Sequence, residues 1–305
     1  MRQYVFRRLG RLVLALLGVT LITFLLLRLT GDPARVVLGQ LASDEAIQQF
    51  NREHGLDRPW PEQYVAFLWQ ALQGNLGQSL RYEQSNFSIL LERVPATLRL
   101  AGASLILTFV IGLPLGIIAA LRRDTTVDYL ARGLVLLAQG IPNFFLAILL
   151  ILFFGVYLGW LPTGGSDSFK HLILPAFVLS FVQLPLTVRV TRSAVLDIIG
   201  QSYIRTARSK GLPERLVLVR HVLRNAALPI LTILGVQVAL LMSGAVVTET
   251  VFSWPGIGRL IVSAILARDF PLVQSIVFVI AMAVVVVNFL VDILYGILDP
   301  RIILN

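Results

Sequence analysis

Residues that could carry out chemistry are few in this sequence, and they lie far apart. The three histidines, His54, His171 and His221, do not have the spacing of a zinc-binding His-Glu-x-x-His motif. Lys170 and Lys210 both lack the Gly-Lys-Ser/Thr sequence of a loop that binds nucleotide phosphates. The absence of cysteine excludes disulfides and thiolate metal sites. We therefore predict a non-catalytic chain with no metal and no cofactor of its own.

A second set of polar residues is neutral and lies within or beside long apolar stretches. Its members are Gln139, Asn143, Gln183, Gln237, Ser243 and Asn288. Such side chains either line an aqueous path or pair with one another between helices, and pairing is the more frequent case. The interiors of these stretches hold no Asp, Glu, Lys or Arg, although a proton-coupled carrier needs ionisable groups at membrane depth. If the protein moves a solute uphill, we expect the energy to come from another subunit.

The most distinctive polar segment, residues 203–229, is rich in Arg and lies beside long apolar stretches. We predict two short helices around it, one from about Ala194 to Lys210, closed by Gly211, and one that begins at Pro213. A loop that only contacts anionic lipid would need charge, but neither helices nor a Gly-Leu-Pro turn. The pattern therefore favours docking to a protein partner. The candidate docking residues are Arg205, Thr206, Ala207, Arg208, Lys210 and Gly211.

These residues belong to a very apolar chain. Hydrophobic residues make up 56% of its 305 residues and charged residues 14%, against about 25% in soluble domains. Candidate membrane spans, each of which needs roughly 20 residues, are 12–27, 100–121, 133–166, 171–188, 225–248 and 270–291. The first could instead be the core of a signal peptide, but no small-residue cleavage site follows it. We predict an all-α polytopic membrane protein with six transmembrane helices.

The distribution of basic residues predicts the orientation in the membrane. With the N-terminus in the cytoplasm, the segments on that side hold 16 Arg and Lys residues and the outer segments hold 10. Because short cytoplasmic loops are enriched in Arg and Lys, we predict that both termini and the segment 189–224 are cytoplasmic. The net charge of +9 is spread over the loops between spans. It therefore indicates contact with the lipid bilayer and not with nucleic acid.

The outer segment 30–99 is too long for a simple loop. Ser43 is a good N-cap for one helix, and Pro61 is a favoured first position for another. We predict a small folded helical insertion, with a helical hairpin lying on the membrane surface as the alternative. The chain then divides into an N-terminal span (1–29), this insertion (30–99) and a five-span core (100–305).

The basic segment resembles a known motif, the EAA loop of bacterial ABC importer permeases, which reads Glu-Ala-Ala-x-x-x-Gly. Ala207 and Gly211 match it, whereas Arg205 and Thr206 stand where Glu and Ala are usual. These departures fit the dipeptide, oligopeptide and nickel permeases. Further pieces similar to that branch are Gly-Asp-Pro at 31–33, GNLGQS at 74–79, LPTG at 161–164, HLILP at 171–175, TRSAVLD at 191–197, RNAALP at 224–229 and ETVFSWPGIGRL at 249–260.

The resemblance implies a B-type permease of a type I importer in the bacterial inner membrane. It implies a cytoplasmic coupling helix, a homologous C-type permease, two ABC ATPase subunits that bind ATP and Mg²⁺, and a periplasmic solute-binding protein. Peptides are the commonest cargo of such proteins, and close relatives carry glutathione or nickel chelates. An ion-coupled carrier, a channel and an intramembrane enzyme are the disfavoured alternatives from other classes.

The outer loop 249–269 carries a further group of candidate residues, Trp254, Pro255 and Ile257. A Trp next to Pro-Gly at the end of a span is most often an anchor at the membrane interface. The alternative is that the loop contacts the binding protein or plugs the outer mouth of the path.

Overall fold

A computed structural model describes residues 2–30, 33–39, 42–53 and 55–298 of the chain. Gly31, Asp32 and His54, which were singled out above, lie outside the described residues. The helices are α1 (Arg2–Thr30), α2 (Pro33–Leu38), α3 (Asp44–Glu53), α4 (Trp60–Leu72), α5 (Asn86–Leu121), α6 (Thr126–Gly140), α7 (Asn143–Leu150), α8 (Phe169–Ile199), α9 (Ser202–Ser209), α10 (Glu214–Leu216), α11 (Arg224–Val251), α12 (Ile257–Leu266) and α13 (Phe270–Leu298). π-Helical turns at Ile151–Tyr157 and Val217–Leu223 continue α7 and α10.

The described helices confirm the predicted fold class, an all-α polytopic membrane protein. Within the described residues, five helical segments are long and apolar enough to cross a membrane, and a bent pair of helices brings the number to six if it forms one span. The chain divides into two compact units. The first comprises residues 1–97 and 255–286, and the second comprises residues 98–254 and 287–305. The three-part division by sequence stays a prediction.

In the first unit, α4 packs through one face onto α1 and α13. The Tyr64 hydroxyl donates to the Leu17 carbonyl at 2.9 Å, and the rings of Phe67 and Phe278 meet edge to face at 5.9 Å. The opposite face of α4 exposes the apolar side chains of Val65 and Trp69. The insertion is therefore packed on its own unit, while one of its helices presents an apolar surface of the kind that suits lipid.

Sequence analysis correctly located both predicted helices of the insertion. Ser43 caps α3, since its hydroxyl accepts the Ala46 N–H at 3.3 Å. Helix α4 begins one residue before Pro61, with Pro59 at the N-cap. A less expected element is α5, whose 36 residues begin well before the predicted span at 100.

In the second unit, the predicted span 133–166 is wrong as a single helix. It consists of α6 and of α7 with its π-helical continuation, and the two parts meet at an angle of 99°. The break lies at Ile141-Pro142, where Ile141 adopts an extended conformation with φ −92° and ψ 118°. A residue before proline is disfavoured in the α region, so the helix ends there.

Helix α8 is largely buried in the second unit, and its side chains Thr187 and Thr191 pack closely against the glycines of α5. A Cβ atom added to Gly116 would lie 2.7 Å from Cβ of Thr191, and one added to Gly112 would lie 2.9 Å from Cγ2 of Thr187. Gly112 and Gly116 form a small-x-x-x-small pair, which lets two membrane helices approach closely. The contact fixes α5 and α8 together.

Candidate functional site

The predicted docking segment forms α9, a helix of eight residues. Gly211 follows its C-cap with φ +75°, a left-handed conformation that glycine adopts without strain, and its N–H donates to the Arg208 carbonyl at 2.9 Å. The predicted end of the helix is therefore confirmed. The predicted start at Ala194 is wrong, because Ala194 and Val195 are buried parts of α8. A short break at Gly200 and Gln201 then separates α8 from α9.

Helix α9 has one buried face and one basic face. Ile204 and Ala207 are buried and pack against Val195, Val217 and Val222 of the neighbouring helices. The remaining candidate docking residues, Arg205, Thr206, Arg208, Lys210 and Gly211, are exposed. Ala207 therefore supports the helix from beneath. The exposed face can attract an acidic surface.

An ion pair joins α9 to the next helix across the Gly-Leu-Pro turn. The Arg208 guanidinium donates to both carboxylate oxygens of Glu214, with 3.1 Å between Nε and Oε2. This interaction raises the pKa of Arg208 above its ordinary value. Because both groups are largely exposed, the pair contributes at most about 1 kcal/mol to stability. Its main effect is to fix the angle at which α9 is presented.

The second helix of the segment begins one residue later than predicted and continues further. Pro213 is the N-cap of α10 and not its first residue, and Glu214 follows it. We expected Pro229 to bend or restart the chain, but it lies inside the continuous helix α11. The preceding π-helical turns already have a wider hydrogen-bond pattern, and a helix tolerates a proline where such adjustments lie nearby.

A buried ion pair anchors the end of α8 that leads into α9. The Asp128 side chain is fully buried, and its two oxygens accept from Nε and Nη2 of Arg192, each at 2.8 Å. The Asp124 N–H also donates to Asp128 at 3.1 Å, and Arg132 lies 3.5 Å away. The pair joins the start of α6 to the last turns of α8. Sequence analysis missed this role because residues 64 positions apart obey no local spacing rule.

Two of the candidate pathway residues, Gln183 and Gln237, lie together between α8 and α11. Gln237 is fully buried, and its Nε2 donates to the Gln183 carbonyl at 3.1 Å and to Thr187 Oγ1 at 2.7 Å. This geometry matches pairing between α8 and α11. Both polar atoms of the Gln183 amide are buried without a hydrogen-bond partner among the described residues.

The other members of this set are separate. Gln139 is exposed, and Asn143 accepts the Phe144 N–H at 2.8 Å at the start of α7. Asn288 is half-buried in α13, and the side chain of Ser243 lies outside the described residues. A role for these six residues in a pathway stays a prediction.

The loop residues Trp254, Pro255 and Ile257 are mostly enclosed. Trp254 and Ile257 are each only 3% exposed, and the Ile257 N–H donates to Thr97 Oγ1 at 2.9 Å within the first unit. Pro255 is half-buried. Contact of this loop with a binding protein stays a prediction.

Comparisons with known proteins fit this geometry. The profile of the family described as "Binding-protein-dependent transport system inner membrane component" matches residues 112–304, and the profile of its N-terminal region matches residues 1–101. The di/tripeptide transport system permease protein DppB of Pseudomonas aeruginosa (strain UCBPP-PA14) is 41% identical over 99% of both chains. The dipeptide transport system permease protein DppB of Escherichia coli (strain K12) is 37% identical over 99% of both chains.

A solved structure supports the fold. The chain superposes on inward-facing MetNI, a methionine ABC transporter, with a TM-score of 0.61 and 19% identity, over 69% of this chain and 96% of that chain. With full-length relatives, a family profile over most of the chain and a shared helical fold, this chain belongs to the family of binding-protein-dependent transport system inner membrane components and is a permease subunit of an ABC importer.

Proposed function

We propose that the protein forms half of a membrane pathway that imports dipeptides or oligopeptides. The observation that carries this proposal is the presentation of α9, whose basic face is exposed while Ile204 and Ala207 attach it to the bundle. The transport systems named for its full-length relatives carry di- and tripeptides, which supports peptides over glutathione or nickel chelates.

In this proposal α9 is the coupling helix and docks in a cleft of an ABC ATPase subunit. Arg205 and Lys210 project from the exposed side of the helix, so the cleft should present acidic groups. ATP and Mg²⁺ bind in the two ATPase subunits, and this chain is not catalytic. Closure of the ATPases displaces α9, and α8 transmits the displacement because its end is fixed by Asp128 and Arg192.

The same proposal assigns the remaining partners and the orientation. Both termini and α9 face the cytoplasm of a bacterium, in agreement with the distribution of Arg and Lys. A homologous permease subunit completes the pathway, and a periplasmic binding protein delivers the peptide on the side of the insertion and of the loop 249–269.

Charge reversal on α9 tests this proposal directly. We expect Arg205→Glu combined with Lys210→Glu to reduce co-purification of the ATPase subunits and uptake of a labelled dipeptide by at least tenfold. Arg52→Glu on α3 is the matched control, since Arg52 is equally basic and exposed but lies in the insertion. Normal ATPase binding by the double variant would refute the docking role. If the native chain binds the ATPase subunits normally but takes up another solute in place of the dipeptide, only the proposed peptide substrate is refuted.

A further inference from the structure

A cavity of about 580 Å³ lies inside the first unit, and none of the candidate docking, pathway or loop residues lines it. Its walls come from α1, α3, α4 and α13 and from the loop segments beside them, 55–56 and 76–83. They include Phe24, Gln63, Phe67 and Gln274, together with the charged side chains of Arg28 and Glu83. The volume falls within the range of about 300–1,000 Å³ that is usual for small-molecule sites. The walls are mainly apolar, and a few polar atoms reach them.

The most informative polar atom is Oε1 of Gln63, whose side chain is only 8% exposed. Its Nε2 donates to the carbonyls of Leu56 at 3.0 Å and Arg58 at 2.7 Å. Because carbonyl oxygens can only accept, these two bonds fix which end of the amide carries the nitrogen. Oε1 is therefore a buried acceptor held in place, and no described residue donates a hydrogen bond to it.

The opposite kind of atom is contributed by α13. Nε2 of Gln274 is a buried donor with no hydrogen-bond partner in the described part of the chain, and Gln274 lines the same cavity. Buried polar atoms nearly always have partners, so two complementary unpaired atoms in one cavity indicate a missing ligand. A group with one N–H and one C=O satisfies both atoms, and the peptide unit is such a group.

We propose that this cavity binds a short peptide or a peptide-like amide. The ligand's N–H donates to Gln63 Oε1, its C=O accepts from Gln274 Nε2, and an apolar side chain packs against Phe24 and Phe67. A lipid acyl chain would use the same apolar walls but would leave both amide atoms unpaired. The site belongs to this chain alone, so binding at it does not depend on the ATPases or on transport.

The test is equilibrium binding to the purified full-length chain in lipid nanodiscs, without ATPase or binding protein. The probe is N-acetylleucine methylamide, which is neutral and carries two peptide units and one apolar side chain. Its control is the diester analogue in which oxygen replaces both N–H groups of the probe, so that only acceptors remain. We expect the ester to bind about tenfold more weakly, because it cannot donate to Gln63.

Two variants locate the binding at this cavity. Ala66→Phe places a ring in the cavity and should abolish binding, whereas Val65→Phe on the exposed side of α4 should leave it unchanged. Gln274→Met, which removes only the donor, should weaken binding of the amide about tenfold.

Equal binding of amide and ester would overturn the proposal, as would no binding to the native chain up to the solubility limit. Normal binding by a folded Ala66→Phe chain would also overturn it. If Ala66→Phe does not fold, Gln274→Met decides, and unchanged affinity there would again refute the site. Failure of dipeptide uptake with retained binding would count against the proposed function only.

Discussion

Loss of the Asp128 carboxylate should loosen the end of α8 and uncouple α9 from the bundle. The substitution Asp128→Asn keeps the size of the side chain and removes its charge. Arg192 then retains one acceptor in place of two charged oxygens, while its side chain stays only 22% exposed. The guanidinium is left largely buried without a full counter-charge, which is the costly half of breaking a buried ion pair.

The magnitude follows from the burial of the two partners. Removal of one member of a fully buried pair costs about 3–5 kcal/mol, and the residual exposure of Arg192 should reduce this to roughly 2–4 kcal/mol. Arg192→Lys keeps the charge but loses the two-pronged hydrogen bonding, so we expect a smaller loss. Arg192→Gln combined with Asp128→Asn removes both charges and should recover much of the stability.

The assay is a double-mutant cycle on the purified transporter. The members of the cycle are the native chain, Asp128→Asn, Arg192→Gln and the combination of the two. For each we would measure thermal unfolding and the ratio of peptide transported to ATP hydrolysed. Asp128→Asn should lower both the unfolding temperature and this ratio. Strictly additive effects of the two single substitutions would refute the reasoning, because residues in direct contact must show an interaction energy.

Three other predictions address the glycines and the topology. Gly211→Val should lower the stability of the segment by about 1–2 kcal/mol, because residue 211 has a left-handed φ of +75°. Transport and transport-stimulated ATP hydrolysis should fall together while the amount of protein in the membrane stays normal. Gly211→Asn should retain both activities. Gly116→Val should destabilise the bundle by roughly 1–3 kcal/mol in thermal unfolding, whereas Gly133→Val, which has open space, should cost little. Cysteine at Ser209 should react only with reagent added from the cytoplasm, and cysteine at Gln48 only from outside; the reverse pattern would refute the proposed orientation.

Local signals predicted a large part of this structure. The N-cap at Ser43 and the left-handed Gly211 could be predicted because each depends on residues within one or two turns. The end of the helix at Ile141-Pro142 was also readable in principle, since the residue before a proline disfavours the helix. The continuous apolar composition of 133–166 nevertheless suggested one span, because hydropathy indicates the length of an apolar segment but not a bend within it.

The parts that sequence analysis missed depend on distant contacts. Ala194 was predicted as the start of a separate helix, but it is buried within α8, which continues to Ile199. The pairing of Asp128 with Arg192 is set by how α6 crosses α8, which no single-sequence pattern encodes. Gln237 and Gln183 were recognised as polar residues within spans. That Gln237 pairs with the Gln183 carbonyl could be seen only from the distance between the two groups in the structure.

The close contact of α5 with α8 implies that these two helices move as one rigid body. Because Gly112 and Gly116 leave no room for sliding, the pair must tilt as one body. Helix α8 has 31 residues and is about 46 Å long, so a tilt of about 10° around its midpoint moves its end by about 4 Å. A small rotation within the bundle would thus displace the start of α9 by somewhat less than the rise of one helical turn, which is about 5.4 Å.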